Sequence, residues 1–297
     1  VSKEVPLPQT ELQNPRTAGL DVLTTLELVD VLAREQRAAV EAVEAVSDVL
    51  AGVVDEVARR LSAGGKLHYV GSGSSGRLGF LDASEMPPTF GTPPELVCAH
   101  ISGGAAALRH SIEGAEDDGS AGEAELRGHI AAADAVIGIS ASGGAPFVVR
   151  AIAFARAIGA FTIGVANTRQ SLLGETAEVS IVLNTGPEPL TGSTRLKAGT
   201  AQKVLLNTLS TATMVRLGKV YDNFMIDVVA SNAKLRRRAL GLVERLTGAH
   251  GERARGLLDA AGGRVKVAVV MARLDVDAER ARELLEEHHG RLRGLID

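Results

Sequence analysis

Two short loops rich in serine and glycine carry the first chemistry legible in this chain. Gly71-Ser72-Gly73-Ser74-Ser75-Gly76 directly follows the apolar run Leu67-His68-Tyr69-Val70, and Ser140-Ala141-Ser142-Gly143-Gly144 follows the run from Ala135 to Ile139. Glycines at a strand-to-helix turn let the backbone approach a ligand closely. The helix that follows offers unpaired N–H groups and the positive end of its dipole. Such turns hold phosphate, and Gly73, Ser74, Ser75 and Gly76 of the first loop and Ser140, Ser142 and Gly143 of the second are the candidate ligands. The first loop also satisfies G-x-G-x-x-G, but a dinucleotide site wants an acidic residue about 20 positions further on, at the end of the second strand. That strand ends in Ala99-His100-Ile101-Ser102-Gly103-Gly104, with no acid. Alone, the first loop reads equally well as a tight structural turn. With the second in register, a small phosphorylated sugar is favoured over a dinucleotide.

Acid–base chemistry has candidates close by. Leu81-Asp82-Ala83-Ser84-Glu85-Met86 precedes Pro87-Pro88, which should stop a helix and leave Glu85 in its last turn or just past it. A carboxylate there faces the negative helix end, which favours the protonated form a general acid needs. For an arbitrary glutamate, simple exposure is the more common fate. The second candidate is the cluster Glu113-Gly114-Ala115-Glu116-Asp117-Asp118; Asp117 and Asp118 read as a solvated helix end, and spacing does not choose between Glu113 and Glu116. Arg77 is placed equally well to help hold a phosphate or to make a structural salt bridge.

The elements that must position these residues follow from hydrophobic periodicity. Apolar runs at 67–71, 96–101, 135–140, 161–166 and 179–183 read as strands, with helices expected at 76–84, 105–112, 121–131 and 146–158. Alternation of this kind implies an α/β fold with a doubly wound parallel sheet covered on both faces. In the flavodoxin-like order 2-1-3-4-5, ligands bind where strand order reverses, between the first and third strands, where the two loops would converge. Residues 1–20 carry Pro6, Pro8 and Pro15 and read as an irregular arm, 24–61 as two helices, and 197–217 as one long helix. From 225 on, helical patterns broken by Gly248, Gly251 and Gly262-Gly263 show no convincing strand. The division expected is 1–61 (arm and helices), 62–224 (sugar-phosphate-binding domain) and 225–297 (helical tail).

Composition limits the function classes. The 297 residues suffice for a sizeable core, and with 36 acidic against 32 basic residues the net charge of −4 gives no global attraction for nucleic acid or an anionic membrane. The run Arg236-Arg237-Arg238 reads as a solvated helix face. Cys98, the single cysteine, reads as a buried strand residue and excludes an intramolecular disulfide. The start lacks a signal-peptide pattern and no stretch reaches the ~18 apolar residues of a membrane span, so a cytoplasmic protein is expected.

The run from Gly71 to Thr89, the stretch Ser111-Ile112-Glu113-Gly114-Ala115-Glu116-Asp117, and Thr191-Gly192-Ser193-Thr194-Arg195-Leu196-Lys197-Ala198-Gly199-Thr200-Ala201-Gln202-Lys203 closely resemble the N-acetylmuramic acid 6-phosphate etherases. The resemblance runs from Asn14-Pro15-Arg16 into the tail. It implies a five-stranded sugar isomerase (SIS) domain, no metal or organic cofactor, and a homodimer with sites near the subunit interface. It also implies a lyase that releases D-lactate and N-acetylglucosamine 6-phosphate, as in peptidoglycan recycling. By the same resemblance the proton-donating glutamate falls on Glu85 and the second active-site glutamate on Glu116. The family commonly carries threonine where this chain has Ala145, and often alanine at Ser140. Two alternatives are a sugar-phosphate-sensing SIS regulator, which tends to carry two such domains, and an aldose–ketose isomerase, which needs only one proton shuttle. Lys197, Lys203 and Lys234 would serve either as contacts to a partner subunit or in ion pairs within one chain.

Overall fold

A computed structural model of the protein describes residues 8–228 and 233–297. Pro6 of the expected arm and the Lys234 side chain lie outside the described residues. The backbone divides into two compact units: one reaches Ala83 and resumes over Glu95–Ser210, the other comprises Ser84–Pro94 and the described part of Thr211–Asp297.

The first unit opens with short 3-10 turns and three helices, α1 (Thr25–Glu35), α2 (Arg37–Glu44) and α3 (Ser47–Ser62), where the sequence suggested two. A Thr24–Glu27 capping box starts α1. The α/β core then runs β1 (Leu67–Gly71), α4 (Gly73–Phe90), β2 (Val97–Ile101), α5 (Gly119–Leu126), β3 (Ala135–Ile139), α6 (Pro146–Ala157), β4 (Phe161–Ala166), α7 (Leu172–Thr176), β5 (Val179–Val182) and α8 (Lys197–Arg216). The five strands are parallel in the order β2-β1-β3-β4-β5, so the switch point falls between β1 and β3 as expected. β1, β3 and β4 are buried at every position, which is why they read as continuous apolar runs rather than alternating ones. Val136, Val148, Ile152 and Leu173 form part of the core between sheet and helices.

Two expectations about helices fail. α4 does not stop at Pro87-Pro88; both prolines lie inside it and it continues to Phe90. The helix expected at 105–112 is a short 3-10 turn, Gly104–Leu108. α5 also sits earlier than the expected 121–131.

In the second unit a two-stranded antiparallel hairpin, β6 (Val220–Tyr221) and β7 (Phe224–Met225), precedes α9 (Ala233–Thr247), α10 (Gly251–Ala260), α11 (Val265–Leu274) and α12 (Ala278–Glu287). The tail was read as free of strands, and the hairpin's short second strand reaches into it. Val243, Ala254, Val269 and Ala281 anchor this unit's own core.

Candidate active site

The two serine-glycine loops lie where the switch point puts them, at the carboxyl ends of β1 and β3. α4 begins at Gly73, so Gly73, Ser74, Ser75 and Gly76 form its first turn; Gly76 N–H already donates to the Ser72 carbonyl at 3.3 Å, which leaves Gly73, Ser74 and Ser75 to supply the unpaired N–H groups of a helix start. Gly76 and Gly143 are among the positions where only glycine fits. A Cβ on Gly76 would meet Ile101 Cγ1 at 2.6 Å. Gly143 takes φ +66° and its Cβ would meet Ser171 Cβ at 2.3 Å.

The hydroxyls are not equivalent. Ser75 is buried and donates to Gln202 Oε1 at 2.8 Å. Gln202 Nε2 donates to Asn167 Oδ1 at 2.9 Å, Asn167 Nδ2 to the Leu183 carbonyl at 3.1 Å, and Asn167 N–H to the Ala141 carbonyl at 2.9 Å. This chain of bonds links the first loop to the second. Ser140 Oγ accepts from Gly143 N–H at 3.1 Å and Ser142 Oγ from Gly144 N–H at 3.3 Å. Both therefore keep their own protons for an incoming oxyanion. Ser72 Oγ is buried with no hydrogen-bond partner among the described residues. Sequence reading missed Gln202 and Asn167 as site-builders, and singled out Ser72 only as part of the loop.

Arg77 makes no salt bridge among the described residues. Its guanidinium donates to the Ala107 carbonyl at 2.9 Å and the His110 carbonyl at 3.1 Å, fixing the turn after β2.

The two glutamates belong to different units. Glu116, exposed in the turn before α5, is tied through its main chain: its carbonyl accepts from Phe147 N–H at 3.0 Å, in the first turn of α6 just after the second loop. Glu113 instead accepts from the Ser111 hydroxyl at 3.3 Å. Asp118 caps α5 by accepting from Ala121 N–H at 3.0 Å, and its carboxyl is held below the usual range by the Ser120 hydroxyl and that backbone bond. Glu85, in the second unit, is exposed on α4. Because α4 continues to Phe90, Glu85 is not in the last turn, and the helix-end argument loses its geometric premise. Asp82, one turn earlier and in the first unit, is buried and accepts from Tyr69 Oη at 2.9 Å, Asn207 Nδ2 at 2.8 Å and Ser210 Oγ at 3.0 Å.

The Thr191–Lys203 stretch is held by buried charge. Glu188 receives Lys197 N–H and Ala198 N–H, each at 2.9 Å, and so caps α8. Burial pushes this carboxyl up while those bonds pull it down. Lys197, fully buried, pairs with Glu35 at 2.9 Å, so it is used within the chain. Glu35 also takes Arg16 at 2.7 Å, and these partners pull its carboxyl down to about 2. Lys203 bonds Asn207. Cys98 is half-buried rather than buried, with its thiol pushed up by burial.

Comparison with known proteins adds to this geometry. The family model described as the glucokinase regulatory protein N-terminal SIS domain matches residues 49–156. Curated relatives named N-acetylmuramic acid 6-phosphate etherase include that of Serratia proteamaculans, 47% identical over 97% of this chain and 97% of its own. That of Gloeobacter violaceus is 50% identical over 95% of this chain and 93% of its own. Among solved structures, an Escherichia coli protein determined with a bound ligand has a TM-score of 0.50 at 19% identity, covering 68% of this chain and 97% of that one. A phosphoheptose isomerase from Francisella tularensis also has 0.50, at 15% identity, covering 65% of this chain and 100% of that one. At such identities the structural likeness speaks to the fold alone.

Proposed function

The chain belongs to the N-acetylmuramic acid 6-phosphate etherases, and we infer that it cleaves the D-lactyl ether of N-acetylmuramic acid 6-phosphate to N-acetylglucosamine 6-phosphate and D-lactate. Identity of 47% sustained over 97% of both chains carries this reading. An isomerase or a sensor would share the loops but not that whole-length match.

The reaction class we propose is elimination followed by hydration. The ether oxygen at C3 is a poor leaving group and must be protonated as it departs. Opening of the sugar ring to an aldehyde acidifies the C2 hydrogen, which a base removes. Loss of lactate leaves a C2–C3 double bond, to which water adds, returning a proton to C2 and a hydroxyl to C3. One water is consumed overall.

We assign Glu85 as the acid at the lactyl oxygen and Glu116 as the second carboxylate, acting at C2. The family's signature supports both assignments, and the backbone tie of Glu116 to the start of α6 supports the second. The phosphate is assigned to the first turn of α4, with its free N–H groups, and to the Ser140–Gly143 loop, whose free hydroxyl protons suit an oxyanion. We further propose a cytoplasmic homodimer, with 62–224 as the sugar-phosphate module; no helix among the described residues is long and apolar enough to cross a membrane. Purified protein should release D-lactate from N-acetylmuramic acid 6-phosphate. Tight binding of that compound with no lactate would point to a sensor instead.

A further inference from the structure

The second unit holds a cavity of about 330 Å³ that the etherase reading does not use. Its ionisable lining is Lys219, Asp227, Arg264 and Lys266, three cations against one carboxylate, and its remaining walls include the apolar Ile226 and Leu285. We propose that this cavity is a binding site for a phosphate monoester or inorganic phosphate, separate from the loops of the first unit.

The donor inventory carries the argument. Asp227 bridges the two lysines, Oδ2 to Lys219 Nζ at 2.7 Å and Oδ1 to Lys266 Nζ at 2.9 Å. An ammonium has three donors and accepts nothing, so this bridge uses only part of what each lysine offers. The Arg264 guanidinium has no hydrogen bond or ion pair among the described residues. A purely structural pair would need one lysine for one carboxylate. Burying a second ammonium beside it is costly unless another anion completes the balance. Lys266 retains only 11% side-chain exposure, and burial pulls its ammonium below the ordinary lysine range against the opposing pull of Asp227.

The backbone adds to the same side. Val265, Lys266 and Val267 line the cavity as the first turn of α11, and no side chain caps that helix start. The excess of two positive charges matches a phosphate monoester, whose second pKa of about 6 leaves it close to doubly charged at neutral pH.

Site-resolved NMR of the full-length chain tests this whether or not the chain is an etherase. Amide spectra are followed as sodium phosphate, and in a second arm glucose 6-phosphate, replaces sodium chloride at constant ionic strength. Saturable shifts at residues 264–267, distinct from those at 73–76, are expected with phosphate. A response to both ligands assigns the site to monoesters, and a response to phosphate alone assigns it to the free ion. Arg264→Ala, a change at an exposed side chain, should weaken binding at 264–267 by about tenfold or more and leave the titration at 73–76 unchanged. Absence of saturable shifts at 264–267 in both arms, or equal affinity there in Arg264→Ala, overturns the proposal.

Discussion

Glu85 and Glu116 share a chemistry but not a setting: one is exposed in a continuous helix, the other in a turn whose main chain is bonded to α6. If Glu85 delivers the proton to the departing oxygen, Glu85→Gln keeps the shape and removes the transferable proton. Lactate release should fall by ~10²–10⁴-fold with substrate affinity little changed. Exchange of the C2 hydrogen with D₂O, followed by proton NMR of the sugar, should partly survive in Glu85→Gln and disappear in Glu116→Gln. Equal loss of exchange in both variants would sink this division of labour. The serines separate in a similar way. Ser75→Ala leaves the buried Gln202 Oε1 without its donor, which should cost about 1–3 kcal/mol, read as a lower urea midpoint, and loosen the link between the loops. Ser74→Ala removes a hydroxyl with no partner among the described residues, so KM should rise with kcat and stability nearly unchanged. A stability loss in Ser74→Ala equal to that in Ser75→Ala would contradict this contrast.

The elements show where sequence reasoning succeeds and where it is overruled. The central strands β1, β3 and β4 were legible because burial on both faces leaves nearly uninterrupted apolar runs, and the switch point between β1 and β3 then located both loops. α4 was misread because proline chemistry is local while Met86 and Phe90, both buried, anchor the helix on either side of Pro87-Pro88. The alanine-rich stretch after β2 looked helical, but Gly103 and Gly104 adopt positive φ, and Arg77 occupies carbonyls that a longer helix would use internally. Gln202 was noticed only as part of the Thr191–Lys203 stretch, and its bond to Ser75, 127 positions away, lies beyond any periodicity. α6 is among the helices without a side-chain cap: it starts at Pro146 behind the N-cap Ala145, whose methyl group accepts no hydrogen bond. Ala145→Thr would place a hydroxyl at that N-cap and should stabilise the protein by about 1 kcal/mol, measured as a higher Tm. A lower Tm would mean that the nearly buried position has no room for the larger side chain.

Two properties belong to the molecule as a whole, its response to acid and its assembly. His68 and His100, on neighbouring strands, are both buried and share a 3.0 Å contact between Nδ1 and Nε2. Burial, then the neighbouring His100, pushes His68 down to about 4, and burial lowers His100 against the opposing pull of Glu125. Since the unfolded chain protonates histidine near 6.5, it binds more protons than the folded one below that pH. Stability from His68 is therefore complete above about 6.5 and lost as pH falls towards about 4, with no further loss below on its account. Glu35 and Glu56, both lowered to about 2, add their own losses only below the carboxylate range, near 4.5. Between pH 6.5 and 4.5 the fall in Tm should thus flatten in His68→Gln, and an unchanged slope would remove the histidine pair as its cause.

The proposed homodimer directs attention to α1. The capping box gives this helix a firm start, yet none of its residues is buried: Leu26 is 74% and Val29 59% exposed, with Leu32 on the same face. Apolar surface left in water forgoes ~25 cal/mol per Å² of stabilisation, so a stripe of this kind is better explained as a contact surface than as a solvated face. The proposed homodimer would use it. Light scattering should report a dimer at micromolar concentration, and Leu26→Glu combined with Val29→Glu should shift it to monomer while leaving the far-UV helical signal intact. Because both side chains are largely exposed within their own chain, loss of fold is not the expected result. If the doubly substituted chain stays dimeric, the interface lies elsewhere. If it becomes monomeric and lactate release collapses with it, each site depends on the neighbouring subunit.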